Sequence, residues 1–398
     1  MGQDIRILVV TQHWDPRTYG GVTTSVRRIA AGLVNCGASV TVFSFGLGSP
    51  SATPVTCQEG AVEVVRFGQL SGHGGGDPKA ECAENRRQVF EAMETEARRR
   101  SFAGILSFFV SRPGWLAAYL AQSLRIPHVV AIRGSDVCLH IFEPRRLAPI
   151  GIAVENASAI VCVSDFVRQR LLMAFPKVAG KTRVILNGTN VGEAAQSRER
   201  ARALILDRTG WIESSTIAVF LGVPSRKKGI KNLLEAVLAI PRDRALQLLC
   251  IGPEPEPEEM RICEQPWRRL MAEGRLHCTG MRPRSEALDL TAAGDVICLP
   301  SAQDGLANAL LEGMALGLCP VVSDLFSGVI TNRQTGLIVP RNDLAALIEA
   351  LDVMTTNTGL RKGISIAAQQ LVVAQFSPQR EAEDYMQCFY GVGVGIPP

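Results

Sequence analysis

What this 398-residue sequence lacks narrows the field first. Its 11 cysteines are scattered from Cys36 to Cys388 with no C-x-x-C pair, and several sit in apolar runs such as Ile160-Val161-Cys162-Val163. They read as buried thiols in a reducing cytosol, not as a disulfide framework. Charge of one sign is also scarce: 42 Lys+Arg against 38 Asp+Glu leaves +4, too little to make nucleic acid the main partner. No basic leader, cleavage site or apolar run of about 18 residues is present, because Met1-Gly2-Gln3-Asp4 leads straight into Ile5–Val10. Arg6 stands where a myristoylation signal wants Ser or Thr. A cytoplasmic protein without a membrane span is expected.

Short chemical motifs are sparse too. His13, His73, His128, His140 and His277 form no H-x-x-x-H pair and have no acidic cluster beside them, so no metal is expected. G-x-S-x-G is absent, which argues against a serine hydrolase elbow. No G-x-G-x-x-G follows the first strand and no G-x-x-x-x-G-K-[ST] occurs, so neither a dinucleotide fingerprint nor a Walker loop is present.

What is there is an ordinary globular composition, 46% hydrophobic and 20% charged, over a length that suggests two domains. Short β-branched runs alternate with helical patterns. Ile5–Val10, a helix over about Val22–Asn35, and Ser39–Phe45 open the series. Gly104–Phe109, His128–Ile132, Ala159–Val163 and Arg183–Leu186 continue it, with helices between them that include one near Pro149–Ala157. The rhythm breaks in the charged stretch Glu193–Arg202 and restarts with Ile217–Leu221, Leu246–Ile251, Leu276–Thr279, Val296–Leu299 and Pro320–Ser323. Continuous apolar strands separated by helices imply parallel sheets covered on both faces. The expected fold is α/β: two Rossmann-like doubly wound domains facing a central cleft, over residues 1–192 and 193–375. Gly72–Pro78 and Pro253–Glu259 read as surface loops and 391–398 as a flexible tail.

In open α/β sheets ligands bind beyond the carboxyl ends of strands, which directs attention to four loops. Gly20-Gly21 precedes the first helix, where bare backbone and helix N–H groups can approach a phosphate or simply form a turn. Arg133-Gly134-Ser135-Asp136 follows a strand and offers a guanidinium and a carboxylate, for substrate or for each other. Gly222 to Gly229 carries Arg226, Lys227 and Lys228 before a helix and suits a diphosphate, or else is a solvated face. In Asp304-Gly305-Leu306-Ala307-Asn308-Ala309-Leu310-Leu311-Glu312, a helix over about Leu306–Leu316 stops at Gly317. Asp304 can meet a sugar hydroxyl, and the N–H groups of Leu306, Ala307 and Asn308 a phosphate. Glu312, among apolar neighbours, needs a partner, which a ribose diol could supply. The basic run Arg98-Arg99-Arg100, with Arg86 and Arg87, is either a solvated helix end or a weak contact with anionic lipid at the inner membrane face.

With those residues in view the chain resembles the family-4 retaining glycosyltransferases of the GT-B fold over nearly its whole length. Gly20-Gly21 looks like the family's N-terminal loop, Asn187-Gly188 like the pair closing the first domain, and Lys228-Gly229 like the donor-phosphate lysine. Asp304 and Glu312 resemble the two carboxylates with seven residues between them, followed by Gly313-Met314-Ala315-Leu316-Gly317 and Pro320-Val321-Val322. There are departures. Asp304 is one methylene shorter than the usual Glu, Val223 stands in place of a phosphate-binding Arg so that Arg226 would substitute, Arg133 replaces a His, and Gly328 lies near a missing Glu.

The resemblance implies a nucleoside diphosphate sugar as co-substrate with no cofactor or metal. Arg226, Lys228, Gly20, Gly21 and the helix amides of Leu306, Ala307 and Asn308 would hold its diphosphate. Glu312, Gly252, Met281 and Arg282 would hold the nucleoside, and Asp304, Arg133 and Asp136 would be catalytic. The first domain would bind a hydroxyl acceptor (glycan, glycolipid or small molecule), with a final helix over about 376–390 crossing back to it, in a monomer or homodimer. Two alternatives stay open: a nucleotide-sugar epimerase of the same architecture, and a non-catalytic sugar-nucleotide-binding scaffold.

Overall fold

The computed structural model describes residues 5–12, 14, 20–46, 53–70, 78–192 and 198–394, without the side chains of 78–82 and 112. It divides into one unit of Met1–Asn187 with Pro378–Pro398 and a second of Gly188–Ser377. The first unit therefore begins and ends the chain. The boundary at Asn187/Gly188 falls five residues before the expected one at 192/193.

In the first unit the strands are β1 (Arg6–Thr11), β2 (Ser39–Phe45), β3 (Val55–Glu59), β4 (Val62–Phe67), β5 (Gly104–Phe108), β6 (His128–Ile132), β7 (Ala159–Cys162) and β8 (Thr182–Val184). Helices α1 (Gly21–Asn35), α2 (Pro78–Arg98), α3 (Trp115–Leu124), α4 (Ser135–Cys138), α5 (Pro144–Asn156) and α6 (Asp165–Ala174) connect them, and α14 (Pro378–Gly391) joins from the chain end. The sheet order is β3-β4-β2-β1-β5-β6-β7-β8, parallel except for the β3–β4 hairpin at its edge. On β1, Ile7 and Val9 pack into one core cluster together with residues of α1 and α14, while Leu8 and Val10 pack into a second with residues of α2 and α3. Two-residue alternation thus buries both faces, which is why the strand reads as one unbroken apolar run.

α14 is fastened to α1. Arg28 donates from Nε to Glu381 Oε2 at 2.6 Å and from Nη2 to Oε1 at 3.1 Å, with Glu381 almost fully buried. Gly32 lets the helices meet, since a Cβ there would lie 2.6 Å from Ala382 Cβ. The tail expectation fails in its first half: Val394 is buried in this core, while 395–398 lie outside the described residues.

The second unit has β9 (Thr216–Leu221), β10 (Leu246–Ile251), β11 (Leu276–Cys278), β12 (Val296–Leu299), β13 (Cys319–Ser323) and β14 (Leu337–Val339), with helices α7 (Arg198–Thr209), α8 (Ile230–Ala239), α9 (Pro257–Ala272), α10 (Arg284–Thr291), α11 (Asn308–Ala315), α12 (Leu344–Thr356) and α13 (Thr358–Gln375). Its order is β11-β10-β9-β12-β13-β14, all parallel. The order reverses between β9 and β12, as it does between β1 and β5 in the first unit. Connections leave these neighbouring strands in opposite directions and open a crevice at their carboxyl ends.

Several elements differ from the sequence reading. The β3–β4 hairpin, β14 and α13 were not anticipated: β3 is mostly exposed and lacks an apolar face, and α13 buries only Ile364, Ala368 and Val372 in 18 residues. α5 starts at Pro144 rather than near Pro149, because Pro144 occupies the first turn and Pro149 removes only one internal bond. Residues 193–197 of the charged stretch lie outside the described residues, but Arg198 opens α7. Arg198 and Arg202 both pair with Asp295, at 2.9 and 3.1 Å. Their charges pin α7 to the approach of β12.

Candidate functional site

In the second unit the loops after β9 and β12 flank the switch point and are laced together. Ala302 and Gln303 donate their amides to Lys227 O at 2.9 and 3.1 Å. Arg226–Lys228 forms a single 3-10 turn, which leaves Arg226 and Lys227 exposed and Lys228 half-buried. Lys228 Nζ lies over Gly222, 2.7 Å from where a Cβ would stand. Burial pushes its ammonium below the ordinary lysine range, and the nearby Asp304 carboxylate opposes that shift. The cation turned into the site is therefore Lys228, with Asp304 as its countercharge. Arg226 instead holds the turn to α9, its amide donating to Glu259 Oε2 at 2.6 Å. Glu259 stands in the first turn of α9, so the expected surface loop Pro253–Glu259 gives way to helix at Pro257.

Gly252 comes to the same place from β10. Its φ is +151°, and a Cβ would lie 2.3 Å from Gly222 O. Backbone packs on backbone here, which no side chain would permit.

Asp304 is half-buried, and its Oδ1 accepts from the Gly305 amide at 2.8 Å. Helix α11 begins at Asn308, two residues later than expected, with Ala307 as its cap, a residue whose side chain makes no capping bond. Gly305-Leu306-Ala307 is thus a turn, and buried Leu306 anchors it. A helix start without a capping side chain or a first-turn acid is suited to an anion.

Glu312 is 8% exposed and has the partner its setting demands: Arg284, at the start of α10, donates from Nη2 to Glu312 Oε1. The sequence reading missed Arg284, which lies 28 residues away. Met281 is 50% exposed, and Arg282 turns back to donate to Thr279 O at 3.0 Å. Gly313 lets α11 lie against β12, since a Cβ would fall 2.8 Å from Ile297 Cβ. Four buried polar atoms without a hydrogen-bond partner, Ser225 Oγ, Ser301 Oγ, Gln303 Nε2 and Ser323 Oγ, cluster at the carboxyl ends of β9, β12 and β13. Buried polar atoms at strand ends can bond to a polar ligand or to water. Their signal in the sequence was only their place just past an apolar strand.

In the first unit, Arg133 and Asp136 follow β6 but do not form the direct ion pair that their sequence proximity offered. Asp136, fully buried, accepts from the Arg133 amide at 3.1 Å. The Arg133 guanidinium donates from Nη2 to Asn187 Oδ1, leaving a buried Nη1 without a partner. Burial pushes the Asp136 carboxyl up to about 7, although the Arg133 amide and the charges of Arg133 and Arg146 pull it down. Asp136 shapes this loop from below, and Asn187, of the pair closing the first domain, orients the guanidinium. Tyr385 of α14 lies fully buried beside Arg133.

Gly20 and Gly21 are exposed at the start of α1, whose first turn holds no acid and no capping side chain. Ahead of them Trp14 is clamped: it donates from Nε1 to Glu59 at 3.1 Å, and the Arg27 guanidinium stacks 4.6 Å above its ring. The basic run is neutralised rather than displayed, because Arg87, Arg98, Arg99 and Arg100 pair with Glu84, Glu91, Glu94, Glu96 and Glu63. Among the described residues no group of His, Cys, Asp or Glu could hold a metal ion, and no helix is long and apolar enough to cross a membrane.

Two family descriptions match the chain in tandem, "Glycosyl transferase 4-like domain" over residues 20–188 and "Glycosyl transferases group 1" over residues 215–357. The chain is 23% identical over 410 residues to the alpha-maltose-1-phosphate synthase of Mycolicibacterium smegmatis, covering 97% of this chain and 99% of that one. Among solved structures it is similar to sucrose-phosphate synthase from Thermosynechococcus elongatus, with a TM-score of 0.77, 20% identity and coverage of 98% of this chain and 99% of that one. It is also similar to HepE of Anabaena in complex with UDP and glucose, with a TM-score of 0.73, 16% identity and coverage of 97% and 100%. Two parallel-sheet α/β domains of the GT-B type describe the fold.

Proposed function

The chain belongs to the family-4-like glycosyltransferases, and we propose that it moves a sugar from a nucleoside diphosphate sugar to an acceptor hydroxyl with retention of the anomeric configuration. The observation that carries this reading is the switch point of the second unit, where Lys228, Asp304, bare glycine backbone and unpaired polar atoms meet. A diphosphate takes Asp304's place as the counterion of Lys228 and receives N–H groups from the start of α11. Glu312, held by Arg284 through one oxygen, presents the carboxylate to the ribose. Asp304, freed from Lys228, accepts a hydroxyl of the transferred sugar. The binding of UDP and glucose by the Anabaena neighbour supports a sugar nucleotide as donor.

The first unit binds the acceptor, with Arg133 held by Asn187 beside buried Tyr385 and its loop shaped by Asp136. As the glycosidic bond to the diphosphate breaks, the developing negative charge falls on phosphate oxygens that Lys228 neutralises, and the departing phosphate accepts the acceptor's proton. No metal takes part in this scheme.

The test is turnover of UDP-, GDP- and ADP-sugars by purified protein, with and without a hydroxyl acceptor. We expect Lys228→Ala and Asp304→Ala each to lower kcat/KM by about 10²-fold or more, the effect of removing a charge stabiliser from a preorganised site. Full activity in both variants overturns the assignment. Conversion of donor to an altered sugar nucleotide without an acceptor selects an epimerase instead.

A further inference from the structure

Arg284 stands where a helix has no use for it. It is the first residue of α10, directly after Pro283, and a positive charge at a helix start opposes the helix dipole. Its neighbours three and four positions on, Ala287 and Leu288, offer no carboxylate on its own helix face. Its partner is Glu312 of α11, so the reason for a cation here lies outside α10.

The pair adjoins the phosphate loop through bare backbone. Gly252 packs on Gly222 and bridges to Gly280, and four residues lead from Gly280 to Arg284. From the other side, Glu312 lies one turn beyond Asn308, where α11 opens. A diphosphate held by Lys228 and the start of α11 would leave its ribose on this side.

The hydrogen bonding of the pair is only partly used. Arg284 engages Glu312 Oε1 through Nη2 alone, with its side chain 42% exposed and that of Glu312 10%. Among the described residues neither side chain has a second partner. An accepting Oε2 therefore stands beside donating N–H groups. A carboxylate only accepts and a guanidinium only donates, whereas a hydroxyl does both. Two neighbouring hydroxyls satisfy the pair: one donates to Oε2 and the other accepts from Arg284. A deoxyribose leaves charged groups without those bonds.

We propose that Arg284 is a specificity residue of the donor site, which together with Glu312 reads the vicinal hydroxyls of the ribose and selects ribonucleotide over deoxyribonucleotide donors. The inference rests on the sugar-nucleotide reading and adds to it a ligand contact that Glu312 alone does not supply.

Titration calorimetry of the full chain tests it with three probes: whichever of UDP, GDP and ADP binds most tightly, its 2′,3′-dideoxy counterpart, and inorganic diphosphate. The parent should prefer the ribose form by about 10²-fold, the loss of two hydrogen bonds to charged groups. Arg284→Ala should lower that preference to about tenfold or less while binding inorganic diphosphate as the parent does. Arg284→Lys keeps the charge without the planar fork and should fall between the two. Melting curves matching the parent's establish that the variants fold. If Arg284→Ala fails that check, Arg284→Lys decides, with a drop in preference of at least about threefold expected. A residue that merely anchors α10 would weaken both nucleotide forms equally, or weaken inorganic diphosphate as well, and either result overturns the proposal. So does an unchanged preference in the folded variant, or equal binding of the two forms by the parent. A parent that binds no nucleoside diphosphate overturns the donor reading and this inference with it, whereas a parent that binds one while the variant keeps its preference overturns this inference alone.

Discussion

Glu381→Ala should release α14 from the first unit. Glu381 and Arg28 are 1% and 12% exposed at their side chains and joined by two hydrogen bonds, so the near-zero worth of surface ion pairs does not apply. Removing one partner of a buried pair costs about 3–5 kcal/mol, because the other charge stays in a poorly solvated place. Arg28 keeps some access to water, which favours the lower end, about 3 kcal/mol. At about 1.4 kcal/mol per decade, that is roughly a 10²-fold rise in opening. Two units make a single unfolding free energy ill-defined, so hydrogen exchange resolved by peptide is the assay. Peptides over 378–391 should lose about 10²-fold protection while those over 344–356 in α12 stay unchanged. The double variant Arg28→Met/Glu381→Leu should recover most of the protection, since apolar replacement leaves no orphaned charge. A change under threefold, or equal loss in both regions, refutes the reasoning. Because α14 also carries Tyr385 against Arg133, activity should fall with the protection.

Gly313→Ala should lower the melting temperature by several degrees, because the new methyl meets Ile297 at 2.8 Å and overpacking costs about 1–3 kcal/mol; an unchanged melt counts against the close α11–β12 contact. Asp136 is raised to about 7 in the fold from an ordinary 3.8, so its protonated form favours folding at low pH and that contribution fades as pH climbs from 3.8 towards 7. Hydrogen-exchange protection of first-unit peptides in the parent relative to Asp136→Asn should therefore fall by up to ~4 kcal/mol between pH 4 and 7.5, and a flat difference contradicts the buried carboxyl. Thiol labelling of the native protein should spare Cys162, Cys250, Cys298 and Cys319, which are buried and whose thiols burial pushes up. Labelling of these four at the rate of half-buried Cys36 and Cys57 would show that the cores open.

The sequence by itself determined the strand–helix rhythm, because parallel strands buried on both faces must be continuous apolar runs, and β1, β9 and β12 are. It also placed the chemistry at strand ends: Lys228 and Asp304 follow β9 and β12, and the need of Glu312 for a partner was legible in its apolar neighbours. The partners themselves were not. Arg284 reaches Glu312 across 28 residues, Asn187 reaches Arg133 across 54, and Arg28 meets Glu381 across 353, separations that no local periodicity encodes. Which cation of Arg226, Lys227 and Lys228 turns inward was likewise decided by the single 3-10 turn and the bare backbone of Gly222. A strand's pattern depends on the residues two positions away, whereas a side chain's partner depends on how the whole sheet is ordered.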